Sequence, residues 1–288
     1  MSMSVKKYLN RLEDLSNKEI IVTGGTSGIG LSIVKHLLYK NAKVVVLARN
    51  VEKFNDIKSQ LLKDYPSAQL ACIKYDQSDD QCIKDAVQEI VNKNPKFYAV
   101  ILNAGLVQTK KTTTYTDGYA TTIKTNFVGL SLFLKELLPL LKEAKRFIFQ
   151  GSLCAGWHMK KINSLKEHNL SMWQYYIISK CGVEALFYHY AYLENLPHSF
   201  YLVEPGITNT EIIRDFPSVI RQAGKVFLKV ASHSPDKAAL TALLALQSVT
   251  KNKSYIVPRA LFTCMGYPKI KKFPKKRIKE DLLKLLEE

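Results

Sequence analysis

The sequence is poor in cysteine, in acidic residues and in long apolar runs. Its five cysteines, at 72, 82, 154, 181 and 264, form no CxxC pair. So scattered and odd a set argues against both a disulfide framework and a zinc site. The six histidines show no ligand spacing, so no metal is expected. No apolar run approaches the ~18–20 residues of a membrane-spanning helix. Met1–Lys7 has no apolar core behind it, so no secretory leader is expected and a reducing, cytoplasmic home is the default. No repeat, low-complexity tract or Pro/Gly/Ser-rich linker divides the 288 residues, which points to a single domain over 1–288.

The shortage of acidic residues leaves a large positive balance. There are 25 Asp and Glu against 42 Lys and Arg, a formal net charge of +17. Seven of the basic residues fall between Lys269 and Lys279, yet residues 269–288 hold eight basic and four acidic residues, so most of the excess lies elsewhere. Such a surface suits an acidic cofactor or substrate, or an anionic membrane. No motif that reads nucleic acid accompanies the charge, so nucleic acid is not expected as a partner. Residues 276–287 have apolar residues at helical spacing and read as a terminal amphipathic helix. A weak association with anionic membrane would place Phe273 and the leucines among acyl chains and the lysines at headgroups.

Short β-branched runs alternate with longer amphipathic segments. The runs are Glu19–Val22, Lys43–Ala48, Gln69–Lys74, Tyr98–Leu102, Arg146–Gln150, Ser199–Val203 and Ser254–Val257. Strands separated by helices predict an α/β fold of Rossmann type, with a doubly wound, seven-stranded parallel sheet and helices on both faces. Residues 1–16 read as an N-terminal extension carrying a short helix, and 259–288 as a basic C-terminal tail.

The first strand runs into Thr23-Gly24-Gly25-Thr26-Ser27-Gly28-Ile29-Gly30 and then a helical run. A glycine-rich turn there exposes backbone N–H groups at the positive end of a helix, where a pyrophosphate can bind. Gly24 permits the turn, Gly28 lets a dinucleotide approach the backbone, and Gly30 lets helix and sheet pack closely. The spacing is GxxxGxG rather than GxGxxG. The second strand ends at Leu47-Ala48-Arg49-Asn50, with an arginine and no carboxylate. A guanidinium pairs well with a 2′-phosphate, which favours NADP(H) over NAD(H); Asn50 and Ser27 stand close enough in sequence to assist.

Gln174-Tyr175-Tyr176-Ile177-Ile178-Ser179-Lys180 opens another helical stretch. Tyr176 and Lys180 are four apart and share a face. A nearby ammonium stabilises a phenolate, so such a pair can act as general acid or base on a carbonyl/alcohol couple.

Together these motifs resemble the short-chain dehydrogenase/reductase family. Thr23–Gly30 resembles its TGxxxGxG turn, Asp76-Gln77 its adenine-contacting aspartate step, and Asn103-Ala104-Gly105 its NAG motif. Asn126, Ser152, Tyr176 and Lys180 match its catalytic tetrad. Pro205-Gly206-Ile207-Thr208-Asn209-Thr210 matches the PG motif that holds the nicotinamide carboxamide. The likeness spans roughly 18–258, with the motifs in the family's order. Gly151 departs from the pattern, standing where a second serine is common. The Asp117-Gly118-Tyr119 step and the 24-residue gap from Ser152 to Tyr176 resemble the retinol-dehydrogenase-like subgroup, which carries an extra loop over about 156–171.

The resemblance implies an NADP(H)-dependent oxidoreductase acting on a carbonyl or alcohol, with a substrate lid over 208–233. The apolar content of the lid, with Trp157, Met159, Met172 and Trp173, points to a lipophilic ketone or aldehyde. In this reading Ser152 and Tyr176 hold the carbonyl, Lys180 tunes Tyr176, and Asn126 holds a water. The resemblance also implies either a homodimer through Phe127–Leu141 and Cys181–Tyr192, or a monomer in which the 156–171 loop shields that surface. The alternatives are a dehydrogenase of lipid-like alcohols held at a membrane surface, and a non-catalytic NADP(H) sensor. The intact Tyr176 and Lys180 weigh against the sensor.

Overall fold

The structure is a computed structural model. It describes residues 4–93, 96–108, 113–141, 143, 145–157, 165, 166, 168, 170–208, 233–260 and 263–287. The strands are β1 (Glu19–Thr23), β2 (Lys43–Ala48), β3 (Leu70–Lys74), β4 (Ala99–Leu102), β5 (Tyr115–Thr116), β6 (Tyr119–Ala120), β7 (Arg146–Gln150), β8 (Ser199–Val203), β9 (Tyr255–Ala260) and β10 (Met265–Lys271). The helices are α1 (Val5–Leu9), α2 (Gly28–Tyr39), α3 (Val51–Asp64), α4 (Asp80–Lys93), α5 (Thr121–Ile123), α6 (Gly129–Leu137), α7 (Met172–Tyr188), α8 (Pro235–Ala238), α9 (Leu240–Ala245) and α10 (Glu280–Glu287).

One sheet runs in the order β10-β9-β8-β7-β4-β1-β2-β3. Seven of its strands are parallel, as the α/β alternation predicts, and the strand order reverses between β1 and β4. In such a sheet the crevice at that reversal is where a ligand binds. An eighth strand, β10, runs antiparallel to β9 and corrects the expected count. Its sequence, MGYPKIK, falls in the segment read as a basic C-terminal tail, where Gly266 and Pro268 interrupt the strand pattern. A strand paired on only one side tolerates a proline, since one edge has no ladder to complete. β5 and β6 form a separate small hairpin.

The alternating strand pattern sorts side chains to two cores. Ile20, Val22, Ala99, Ile101, Ile148, Tyr201 and Val203 join α2, α3 and α9 on one face. Ile21, Val100, Leu102, Phe147, Phe149, Phe200 and Leu202 join α4, α6 and α7 on the other. α7 is apolar almost all round, with every residue from Ile177 to Phe187 buried, as expected of a helix enclosed by protein on most sides. Its N-terminus is set by a capping box between Ser171 and Gln174.

The C-terminal segment packs on this same helix. Phe273 is 3% exposed and meets the rings of Phe187 and Tyr255 edge-on. Leu282 of α10 is fully buried in the α7 core. This corrects the expectation that Phe273 and the leucines face a membrane: Phe273 and Leu282 are occupied by the body. They also cover part of the Cys181–Tyr192 surface assigned to a homodimer. No helix among the described residues is long and apolar enough to cross a membrane.

Truncating a buried aromatic that fills such a slot costs about 3–5 kcal/mol. Phe273→Ala is therefore expected to lower the melting temperature by at least about 5 °C. Differential scanning calorimetry in the absence of lipid checks this; an unchanged melting temperature would return Phe273 to the surface.

Candidate active site

The loop Gly24–Ser27 leaves β1 with Gly24 in the left-handed region (φ +69°) and enters α2 at Gly28. Gly30 faces back onto this loop: a Cβ there would lie 2.2 Å from the Gly24 carbonyl oxygen and 2.6 Å from Asn103 Nδ2. Asn103 Nδ2 donates to the carbonyls of Thr23 (3.0 Å) and Gly24 (3.3 Å), and Ala104 N donates to Thr23 Oγ1 (2.8 Å). These bonds bind the ends of β1 and β4 to each other across the strand-order reversal. Ser27 is the N-cap of α2 but makes no side-chain capping bond, so its hydroxyl is not spent on the helix. Thr26 and Ile29 lie on either side of it in the same turn.

Arg49 is exposed at the end of β2 and has no ion pair among the described residues. Lys74 Nζ donates to the Arg49 carbonyl (2.5 Å), bringing a second cation beside it, which the sequence reading missed. Asn50 Oδ1 is occupied: it accepts from Lys53 N (2.7 Å) as the cap of α3. Asp76 Oδ1 accepts from the Ser78 amide (3.0 Å) and hydroxyl (2.6 Å), which holds the turn after β3. The Gln77 side chain turns inward instead, donating to the Thr125 carbonyl (2.6 Å) and accepting from Tyr75 (3.1 Å). One amide hydrogen and the carbonyl oxygen of this side chain thus serve the interior.

Asn126 sits in a π turn (Lys124–Val128) between α5 and α6. Its amide accepts from Leu106 N (2.8 Å) and donates to Leu106 O (2.8 Å) and Ser179 Oγ (3.0 Å), so it joins the loop after Gly105 to α7. The turn is anchored by Lys124, which is 2% exposed and bridges Asp80 (2.8 Å) and Asp117 (2.9 Å). Burial opposes the charge of Lys124, but its bonds to the two carboxylates outweigh that and hold its pKa above the usual lysine range. Asp117, at φ +52°, gives the Asp-Gly-Tyr step a physical purpose: it turns the β5–β6 hairpin onto this lysine.

Ser152 follows β7 and caps a short 3₁₀ turn, Leu153–Gly156. Its Oγ lies 3.3 Å from the Cys154 thiol, which burial pushes up to about 11, so the sulfur stays protonated at neutral pH. Burial likewise raises Tyr176 well above the ordinary tyrosine value, with the Cys154 neighbourhood adding to it and a hydrogen bond from Ser152 opposing it. Lys180 Nζ donates to the Gln150 carbonyl (3.1 Å) and lies 5.9 Å from the Tyr176 ring centroid. Burial lowers Lys180 to about 8. The structure therefore brings Ser152, Tyr176 and Lys180 together at the carboxyl end of β7, with Asn126 alongside: a Cβ on Gly105 would lie 3.3 Å from Asn126 Oδ1 and 3.6 Å from Lys180 Nζ. Tyr175 faces the other way, toward Tyr115 (3.1 Å between hydroxyls).

After β8, Glu204 leads into Pro205, Gly206, Ile207 and Thr208. Thr208 Oγ1 is buried without a hydrogen-bond partner among the described residues, and so are both polar side-chain atoms of Gln150. An unpaired hydroxyl there fits a site that completes its bonding with a bound amide. The glycine turn, the free end of α2 and this hydroxyl suit a nicotinamide dinucleotide. Thr210, Met159 and most of the lid, 209–232, lie outside the described residues. Trp157 and Trp173 are 55% and 37% exposed. Among the described residues no cluster of three or more His, Cys, Asp or Glu could hold a metal.

A family model described as short chain dehydrogenase matches residues 18–218. The chain is 29% identical over 273 residues to the short-chain dehydrogenase/reductase pkfC of Emericella nidulans, covering 87% of this chain and 86% of that one. It is 26% identical over 237 residues to polyprenol dehydrogenase of Homo sapiens, covering 78% and 71%. Among solved structures it resembles the Pseudomonas aeruginosa RhlG/NADP active-site complex, with a TM-score of 0.64 and 20% identity over 82% of this chain and 91% of that one.

The buried ammonium of Lys180 makes a stability prediction with a definite sign. Below about pH 8 the folded chain encloses a charge that the unfolded chain leaves in water. The net cost is about 3 kcal/mol, with the bond to Gln150 already included. Between pH 8 and about 10.4 the unfolded state binds more protons, so wild-type stability rises with pH. Lys180→Met is expected to melt above wild type at pH 7, with the gain shrinking steadily as pH rises from 8 to about 10.4. A variant less stable than wild type at pH 7 would contradict this.

Proposed function

Because the chain belongs to the short-chain dehydrogenase family, we propose that it is an NADP(H)-dependent oxidoreductase reducing a lipophilic ketone or aldehyde through Ser152, Tyr176 and Lys180. The observation that carries this reading is the cluster of those three side chains at the carboxyl end of β7. The glycine turn that opens α2 would hold the pyrophosphate, Asp76 the adenine end, and Arg49 with Lys74 the 2′-phosphate. Pro205–Thr208 would hold the nicotinamide carboxamide, with Asn103, Ala104 and Gly105 lining the floor. When bound, the cofactor supplies or accepts the hydride; the remaining chemistry falls to the chain.

A carbonyl oxygen placed between Ser152 and Tyr176 would accept two hydrogen bonds, which strengthen as negative charge develops on it. Tyr176 then transfers its phenolic proton to that oxygen. Its raised pKa means that it holds this proton at neutral pH, the form a proton donor needs in the reductive direction. Lys180, charged below about pH 8, stabilises the phenolate left behind. Asn126 acts through position, fastening the Leu106 loop to α7. The exposed Trp157 and Trp173 would offer apolar surface to the substrate. The likeness to polyprenol dehydrogenase favours a lipophilic substrate as well.

Removing the phenolic oxygen tests the assignment. Tyr176→Phe is expected to cut turnover of a lipophilic ketone by at least about a thousandfold while changing the NADPH dissociation constant less than about twofold. Steady-state kinetics and fluorescence titration measure the two; a variant that keeps its turnover sinks the proposal.

A further inference from the structure

Arg277 stands in the C-terminal segment, 125 residues beyond Ser152. Its guanidinium is largely enclosed and all three nitrogens are in use. Nε donates to Glu184 Oε2 (3.1 Å), Nη1 to the Tyr255 hydroxyl (2.8 Å), and Nη2 to Glu204 Oε1 (2.8 Å) and the Ser152 carbonyl (3.1 Å). Nη2 also pairs with Glu184 Oε1. Glu184 and Glu204 are 1% and 0% exposed. The 3₁₀ turn lies against the guanidinium: a Cβ on Gly156 would sit in ordinary contact with it, 3.4 Å from Nε.

The partners are not scattered. Glu184 is one turn beyond Lys180 and two beyond Tyr176 on the same face of α7. Glu204 immediately precedes Pro205-Gly206. Ser152 carries the hydroxyl that meets Tyr176. A single planar fork therefore grips the helix that bears Tyr176, the loop that bears Ser152, and the segment after β8. Two buried carboxyls hold it in place, and removing one member of such a group leaves the others without compensation.

We propose that Arg277 is a positioning residue: by holding the Ser152 carbonyl and the α7 carboxylate together, it sets the separation of the Ser152 and Tyr176 hydroxyls. The C-terminal segment is thus a latch on the active site. The proposal rests on the reading of Ser152 and Tyr176 as the reacting groups. A lysine could meet one or two of these acceptors from its single nitrogen but not all of them at once.

Hydrogen–deuterium exchange on the full chain separates a latch from a mere anchor for the tail, and it needs no substrate. The amides of Ala155, which donates to Ser152 O, and Trp157, which donates to Cys154 O, report on the serine turn. In Arg277→Met they are expected to exchange at least about tenfold faster than in wild type, and in Arg277→Lys by an intermediate factor. With NADPH and 9,10-phenanthrenequinone as the carbonyl probe, kcat should fall about tenfold or more for Arg277→Met while the NADPH dissociation constant stays within about twofold. Faster exchange confined to 272–284, with 151–157 protected as in wild type, overturns the proposal. If Arg277→Met does not fold, Arg277→Lys decides through the same peptides: full protection at 151–157 overturns it. A wild-type chain that neither binds NADPH nor reduces the probe defeats the functional reading, while the exchange data still decide whether the latch exists.

Discussion

Burial of ionisable groups along one face of α7 is the constraint on which the site depends. Tyr176, Lys180 and Glu184 occupy successive turns of a helix enclosed from Ile177 to Phe187. Burial penalises whichever form is charged. It therefore raises Tyr176, lowers Lys180 to about 8, and pushes Glu184 upward, a push that the paired Arg277 guanidinium opposes. Each group has one main polar support: Ser152 for the tyrosine, the Gln150 carbonyl for the lysine, Arg277 for the glutamate. Those supports come from the end of β7 and from the C-terminal segment. A small displacement of α7 would leave three buried polar groups unpaired together, so the helix has one favourable seat.

The rest of the fold can be seen as what keeps that seat and the neighbouring crevice in register. Asn103 and Thr23 close the gap between β4 and β1 where the strand order reverses. Asn126 carries the same stitching on to α7 through Ser179, and Lys124 fixes the π turn from beneath. The polar bonds thus form a connected path from the glycine turn to the tyrosine. Along the outer rim Arg49, without an ion pair among the described residues, and the neighbouring Lys74 give the crevice a positive edge, which suits a polyanionic ligand more than the overall charge alone implies.

Much of this is written locally in the sequence. The seven parallel strands follow from β-branched runs spaced by helical patterns, and the glycine turn and the Tyr-Lys spacing carry local geometry that any chain must obey. What escaped was the non-local part. β10 hid behind a glycine and a proline that an edge strand tolerates. Phe273 looked like a membrane anchor because a lone aromatic among lysines gives no sign of the slot between Phe187 and Tyr255 that receives it. Glu184 had a signal, standing four residues after Lys180, but its partner Arg277 lay 93 residues on. Gln77 and Asn50, read as cofactor contacts, spend much of their polar capacity on the fold itself: Gln77 on the Thr125 turn, Asn50 on the cap of α3.

The proposed function places NADP(H) in this crevice beside a proton-donating tyrosine. The most direct test is a fluorescence titration of the purified chain with NADPH and NADH, repeated on Arg49→Ala. The account predicts that NADPH binds at least about tenfold more tightly than NADH, and that Arg49→Ala removes most of the difference by weakening NADPH alone. Equal affinity for the two cofactors in the wild type would contradict the assignment of Arg49, and binding of neither would contradict the account as a whole.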